Sequence, residues 1–177
     1  MAKTLPQLLR FLNRLQQRAP LEALVAELTE LEIEAEDLAP HVRFSDRAYR
    51  RNLVHAGRWH NLLVLCWRNG QRSPIHDHRG SSCAVRVLTG TMTETLFSFG
   101  PNGLVKADFS RDLQPGSVCG SEDSDMHQVS NLQAGSADLV TLHVYSPPLL
   151  VMGTYSLIDE SRGEELMFAN FGEAEGI

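Results

Sequence analysis

Gly70-Gln71-Arg72-Ser73-Pro74-Ile75-His76-Asp77-His78 is the stretch on which the fold turns. The turn signal Asn69-Gly70 opens it, and it closes on two histidines one residue apart. In a strand, residues i and i+2 point to the same face, so the spacing predicts two imidazoles aimed at one point. A pair of surface histidines on an exposed strand would be spelled the same way. Taken alone, the segment leaves a metal site and a plain strand both open.

Outward from this segment the chain reads as short strands. Arg51–Val54, Asn61–Arg68, Ala84–Leu88, Met92–Phe99, Val105–Phe109, Met126–Leu132, Ala137–Tyr145 and Leu149–Leu157 are apolar or alternating. Turn signals separate them, among them Thr89-Gly90, Gly100-Pro101-Asn102-Gly103, Pro115-Gly116, Ala134-Gly135 and Pro147-Pro148. Many short strands at this spacing predict a mainly β protein, a sandwich or barrel. The first forty residues differ. Leu5, Leu8, Leu9, Leu12 and Leu15 share one helix face, with Thr4 as cap and Pro6 in the first turn. Pro20 starts a second helix carrying Leu21, Leu24, Val25, Leu28 and Leu31, and the acidic run Glu30 to Asp37 reads as a solvated face or a third short turn.

The whole chain sets bounds on these elements. Its 177 residues suit one domain: helices over 1–40, a β-barrel over 41–160 and a C-terminal extension over 161–177, with Glu173 to Ile177 as a frayed tail. Hydrophobic residues make up 42% and charged residues 21%, the balance of a globular domain. A formal net charge of −6 argues against a nucleic-acid partner, because phosphate binding needs a basic face. No apolar run approaches the roughly 20 residues of a membrane span, and the N-terminus lacks a secretory pattern, so a cytoplasmic protein is expected. The three cysteines, Cys66, Cys83 and Cys119, are too few for a disulfide framework.

Gly70, His76, His78 and Gly90, followed by Pro115-Gly116, His127 and Asn131, resemble the two sequence motifs of the cupin superfamily. The resemblance implies a double-stranded β-helix barrel, with the two or three N-terminal α-helices packed on it and a metal in its mouth held by His76, His78 and His127. The second motif is looser here, with a longer insert between Gly116 and His127. The chain also departs from the pattern at Cys83, where cupins usually carry a glutamate. Three neutral imidazoles then replace the two-histidine-one-carboxylate triad. The metal keeps its positive charge, which favours an anionic ligand such as a thiolate. By residue type alone, a hydrolytic zinc site with three histidines stays open.

Between about residues 40 and 150 the chain further resembles the cysteine dioxygenases, thiol-oxidising cupins. Tyr49-Arg50-Arg51-Asn52-Leu53-Val54, Leu65-Cys66-Trp67, Ile75-His76-Asp77-His78, Ser82-Cys83, Gly90 with Glu94-Thr95-Leu96-Phe97, His127, and Leu142-His143-Val144-Tyr145-Ser146-Pro147-Pro148 carry the likeness. It implies one Fe(II) per chain and L-cysteine and dioxygen as partners, with cysteine sulfinic acid as product and a monomeric enzyme. It assigns Arg51, with Tyr49 beside it, to the substrate carboxylate. A guanidinium suits that task by two charge-assisted hydrogen bonds. Strand alternation puts Tyr49 and Arg51 on one face and Arg50, read as a surface residue, on the other.

The resemblance also makes Tyr145 a catalytic hydroxyl at the iron, with His143 and Thr141 behind it as a hydrogen-bonded row. It implies a cis Ser146–Pro147 bond, and it admits a thioether between Cys83 and Tyr145, because Cys83 stands where mammalian members carry the crosslinked cysteine. Cys66 is expected to pack in the core, and His41, His55 and His60 to be structural. Two other readings stand beside this one. The first is a dioxygenase of 3-mercaptopropionate or another mercapto acid, which typically carries glutamine in place of Arg51. The second is a non-catalytic cupin that binds a small molecule. A zinc or manganese isomerase cupin is a further alternative.

Overall fold

In a computed structural model of the chain, residues 2–167 are described. The expected tail, Glu173 to Ile177, lies outside them. Helix α1 spans Leu5–Asn13 and α2 spans Leu21–Thr29, each starting at its expected proline. The Gln7 side chain reaches back to accept the Thr4 N–H at 2.8 Å, satisfying one of the orphan donors of the α1 N-terminus. A 3₁₀ helix, Ala35–His41, follows where a third short turn was expected.

Eleven strands make up the rest: β1 Arg50–Gly57, β2 His60–Trp67, β3 Ile75–His76, β4 Ser82–Thr89, β5 Met92–Phe99, β6 Val105–Leu113, β7 Val118–Glu122, β8 Met126–Ser130, β9 Leu139–Ser146, β10 Val151–Tyr155 and β11 Arg162–Leu166. They form two antiparallel sheets, ordered β1-β2-β9-β4-β7 and β11-β10-β3-β8-β5-β6. β7 and β11 are additions to the expected strands. Each is only 5 residues long, β11 being mostly polar and exposed and β7 carrying just Val118 and Cys119 as apolar residues, too few for an apolar pattern. β11 lies in the segment expected to be an extension and pairs with β10.

The five-stranded sheet is buried on both faces, which is why β2 and β9 have every residue buried. Alternation divides their side chains. Leu62, Val64, Cys66, Val140, Leu142 and Val144 pack against the helix layer, where Leu8, Leu12, Leu24 and Leu28 are fully buried. Each of those helical leucines contributes about 1.5–3 kcal/mol by leaving water, enough to hold two helices too short to persist alone. Gly120 on β7 lets α2 come close: a Cβ there would stand 2.7 Å from Leu21. Arg86 on β4 donates to the Leu28 carbonyl at 2.9 Å and so closes the C-terminal end of α2.

The other phase of the same strands, Leu63, Leu65, Trp67, Leu139 and Tyr145, faces the space between the sheets together with Cys83, Val85, Val87 and Met92. Thr141 and His143 share that phase. The barrel interior is therefore apolar at one end and carries a polar row at the other. Among the described residues, no helix is long and apolar enough to cross a membrane.

Candidate metal centre

His76 and His127 are brought together by sheet register: β3 pairs with β8, and these two residues stand directly opposite each other. Their rings are 4.6 Å apart between centroids. His78 joins them at 5.2 Å from His76 and 4.9 Å from His127. One nitrogen from each ring lies within 4.8 Å of the others, and all three residues are buried.

Strand alternation does not place His78, contrary to the expectation. β3 ends at His76, and His78 lies in the turn beyond it. Two tethers fix that turn. The His78 N–H donates to the Asp123 carbonyl at 2.9 Å. The buried Asp77 carboxylate between the two histidines accepts the Gly153 N–H at 2.7 Å and the Tyr155 hydroxyl at 2.6 Å. Gly153 is required there, since a Cβ would stand 2.6 Å from Asp77 Oδ2.

Outer contacts orient two of the rings. His76 Nδ1 lies 3.0 Å from the Pro74 carbonyl, and His127 Nδ1 lies 3.0 Å from Glu94 Oε1. Both neighbours only accept, so each Nδ1 carries a proton and each Nε2 offers a lone pair. Among the described residues, neither nitrogen of His78 has a hydrogen-bond partner, although both are buried. An unsatisfied buried polar group costs about 1–3 kcal/mol, and a metal ion ligated by His78 removes that cost. Burial drives the pKa of His76 down to about 3 and that of His78 well below its ordinary value, leaving neutral imidazoles suited to a metal.

Across the cavity stands the polar row of β9. Thr141 Oγ1 lies 2.8 Å from His143 Nε2, and His143 Nδ1 lies 3.3 Å from the Tyr145 hydroxyl. Trp67 Nε1 donates to Thr141 Oγ1 at 3.0 Å. The polarity that uses every donor runs from the Trp67 N–H to Thr141, from the Thr141 hydroxyl to His143 Nε2, and from His143 Nδ1–H to the Tyr145 oxygen. Tyr145 then keeps its own O–H for the cavity. Burial holds His143 well below the ordinary histidine range and raises Tyr145. The expected cis bond is present at Ser146–Pro147, directly after this row.

Arg51 completes the group at 7% exposure, its guanidinium carbon 5.4 Å from the centre of the Tyr145 ring. Tyr49, whose ring stacks on Trp67 at 4.2 Å, lies beside it. Among the described residues, no carboxylate forms an ion pair with Arg51. Arg50, expected at the surface, is only half exposed, and its Nε is buried without a partner. Cys83 stands opposite Tyr145 in the β4–β9 register. Burial pushes the Cys83 thiol up to about 12. Cys66 is buried in the helix-facing core, as expected, and His55 and His60 stack on each other away from the centre. A cavity of about 810 Å³ has Tyr49, Ser73, Pro74, Gln128, Tyr155 and Glu165 on its wall, and none of the three histidines lines it.

Sequence reasoning assigned no role to Glu94, Arg111, Asp77 or Trp67. Glu94 could have been singled out: it shares a strand phase with the buried Met92, where a carboxylate requires a partner. Burial opposes its charge, but hydrogen bonds and charges from His127 and Arg111 outweigh that and hold its carboxyl below the usual range. A site with no carboxylate ligand thus has a carboxylate directly behind one ligand.

The class follows from fold and site together: a double-stranded β-helix of the cupin type with a buried three-histidine centre. Solved structures of the same fold include the TT1209 protein of Thermus thermophilus, with TM-score 0.53 and 20% identity, covering 65% of this chain and 98% of that one. A Klebsiella pneumoniae protein with a double-stranded β-helix domain has TM-score 0.53 and 18% identity, covering 67% of this chain and 94% of that one. Within this class, the family model for cysteine dioxygenase type I matches residues 1–157. The human and rat proteins named cysteine dioxygenase type 1 are each 35% identical over 153 residues, covering 82% of this chain and 76% of theirs. The chain belongs to the cysteine dioxygenase type I family, a family of dioxygenase enzymes.

Proposed function

We propose that the protein is a non-haem iron enzyme that joins both atoms of dioxygen to the sulfur of L-cysteine, forming cysteine sulfinic acid. The observation that carries this reading is Arg51, a buried cation with no ion-pair partner among the described residues, held beside the three-histidine cluster. A buried charge without a counter-ion is costly, so the cavity calls for an anion there. A small thiol with a carboxylate supplies one, and its sulfur then falls on the metal side.

His76, His78 and His127 would hold the iron, and the unpartnered nitrogens of His78 support that fit. Ferrous iron supplies the redox chemistry that couples dioxygen to a thiolate. The chain's own residues do the rest. Arg51 grips the carboxylate in a two-point fork. Tyr49 and Trp67 keep the guanidinium in place. Tyr145, with its oxygen held by His143, donates its O–H into the cavity, and the apolar barrel wall excludes water. The facing positions of Cys83 and Tyr145 also support a thioether between the Cys83 sulfur and the Tyr145 ring, with loss of two hydrogens to dioxygen. An intact mass lower by two hydrogens that persists after treatment with a thiol reductant identifies that bond.

Mass spectrometry of the product formed from L-cysteine under oxygen-18 tests the reaction. Two labelled atoms on sulfur are expected. Absence of thiol-dependent oxygen uptake by the iron-loaded protein overturns the assignment. A far higher kcat/KM with 3-mercaptopropionate overturns the choice of substrate alone.

A further inference from the structure

The three ligand rings are not equivalent behind the metal position. His76 backs on a neutral carbonyl, His78 has no partner on either nitrogen, and only His127 backs on an anion. That anion, Glu94, is 1% exposed. Its second oxygen accepts two bonds from Arg111, at 2.8 Å from Nε and 2.6 Å from Nη2. Sheet register builds the relay. Glu94 stands opposite Arg111 on β6, and its neighbour in phase, Leu96, stands opposite His127 on β8.

We infer that Glu94 is a positioning residue that delivers negative charge to the metal through His127, and that Arg111 sets how much of that charge arrives. The inference rests on the metal reading of the site. A carboxylate accepting the Nδ1 proton fixes the tautomer and makes Nε2 a stronger donor. A guanidinium on the other oxygen draws density away and weakens that effect. The carboxylate that cupins usually bind to the metal has thus moved one imidazole outward, leaving a coordination position free while part of its charge is retained. Arg111 is partly exposed, so its removal leaves Glu94 reachable by water rather than stranded.

The two partners therefore have opposite signs, which a merely structural role would not produce. Anaerobic Fe(II) affinity, measured by competition with a chromogenic chelator, reads this without turnover. Glu94→Gln keeps the shape and an acceptor oxygen but loses the charge, and its Fe(II) Kd should rise roughly 10–100-fold. Arg111→Gln should lower the Kd. A Glu94→Gln Kd within about threefold of wild type, against the larger loss expected of such a contact, overturns the inference. So does weaker binding in Arg111→Gln. If Glu94→Gln does not fold, Arg111→Gln decides alone: tighter binding supports the relay, and equal or weaker binding overturns it. Wild-type protein that takes up no Fe(II) overturns the metal reading itself. Wild type that binds iron and consumes cysteine, with both variants level to it, overturns only the relay.

Discussion

At the scale of single residues, the proposed chemistry depends on where one guanidinium is placed. Arg51 lies on β1 with Tyr49 directly before the strand, and both are buried while Arg50 between them is half exposed. This division was legible from alternation alone. What alternation could not supply was that, among the described residues, no carboxylate reaches ion-pair distance of Arg51, Glu165 acting on it only from farther off, which depends on every strand around the cavity. Two charge-assisted hydrogen bonds to a substrate carboxylate are worth about 3 kcal/mol together, so Arg51→Ala should raise KM for L-cysteine roughly 100-fold. Cysteamine, which has no carboxylate, provides the internal control. Wild type is expected to prefer cysteine over cysteamine, and the variant should lose that preference. Steady-state kinetics with both thiols check this, and an unchanged KM for cysteine would remove Arg51 from the substrate site.

At the scale of elements, the turn after β3 decides how His78 joins His76 and His127. The His-x-His spacing marked the right residues for an incomplete reason. A strand of two residues cannot align His78 by pleat, and the tethers through Asp77 and Asp123 do it instead. These come from β10 and from the loop after β7, both remote in sequence, so no local pattern announced them. Tyr155→Phe removes one bond to the buried Asp77 and should cost about 1–2 kcal/mol of stability, read as a lower melting temperature. Gly153→Ala is the sharper test. Its Cβ would displace the Asp77 carboxylate, moving the backbone between the two ligands. Iron affinity should fall while the secondary structure measured by circular dichroism is retained. Full iron affinity in Gly153→Ala would show that Asp77 does not hold the turn.

At the scale of the whole molecule, several imidazoles are buried in neutral form, and this sets a pH dependence. Burial depresses His143 well below 6.5, and His76 to about 3. In the unfolded chain these groups take up protons near their ordinary value, whereas in the folded chain they do not. The unfolded state therefore binds more protons as pH falls below about 6.5, and stability drops through that window at up to about 1.4 kcal/mol per pH unit for each such histidine. Urea unfolding of metal-free protein should give a lower midpoint at mildly acidic pH than at neutral pH. His143→Gln should lessen the drop. An equal drop in wild type and variant would show that His143 does not contribute.

The sequence by itself determined the two helices at their prolines, most of the strands, the three histidines and the row Thr141, His143 and Tyr145. The helices, the strands, the His76–His78 spacing and the shared face of the row depend on a local period or on a turn residue, which the chain expresses without its neighbours, whereas His127 joined the set through the resemblance of its motif to the cupins. Cross-strand register decided the rest. It set His127 opposite His76, put Glu94 and Arg111 behind that residue, and brought β10 onto Asp77. Those facts depend on which strands lie side by side in a closed barrel, and no stretch of chain carries that information alone. Gly70 to His78 therefore marked the site, whereas the sheets around it determined its charge and its shape.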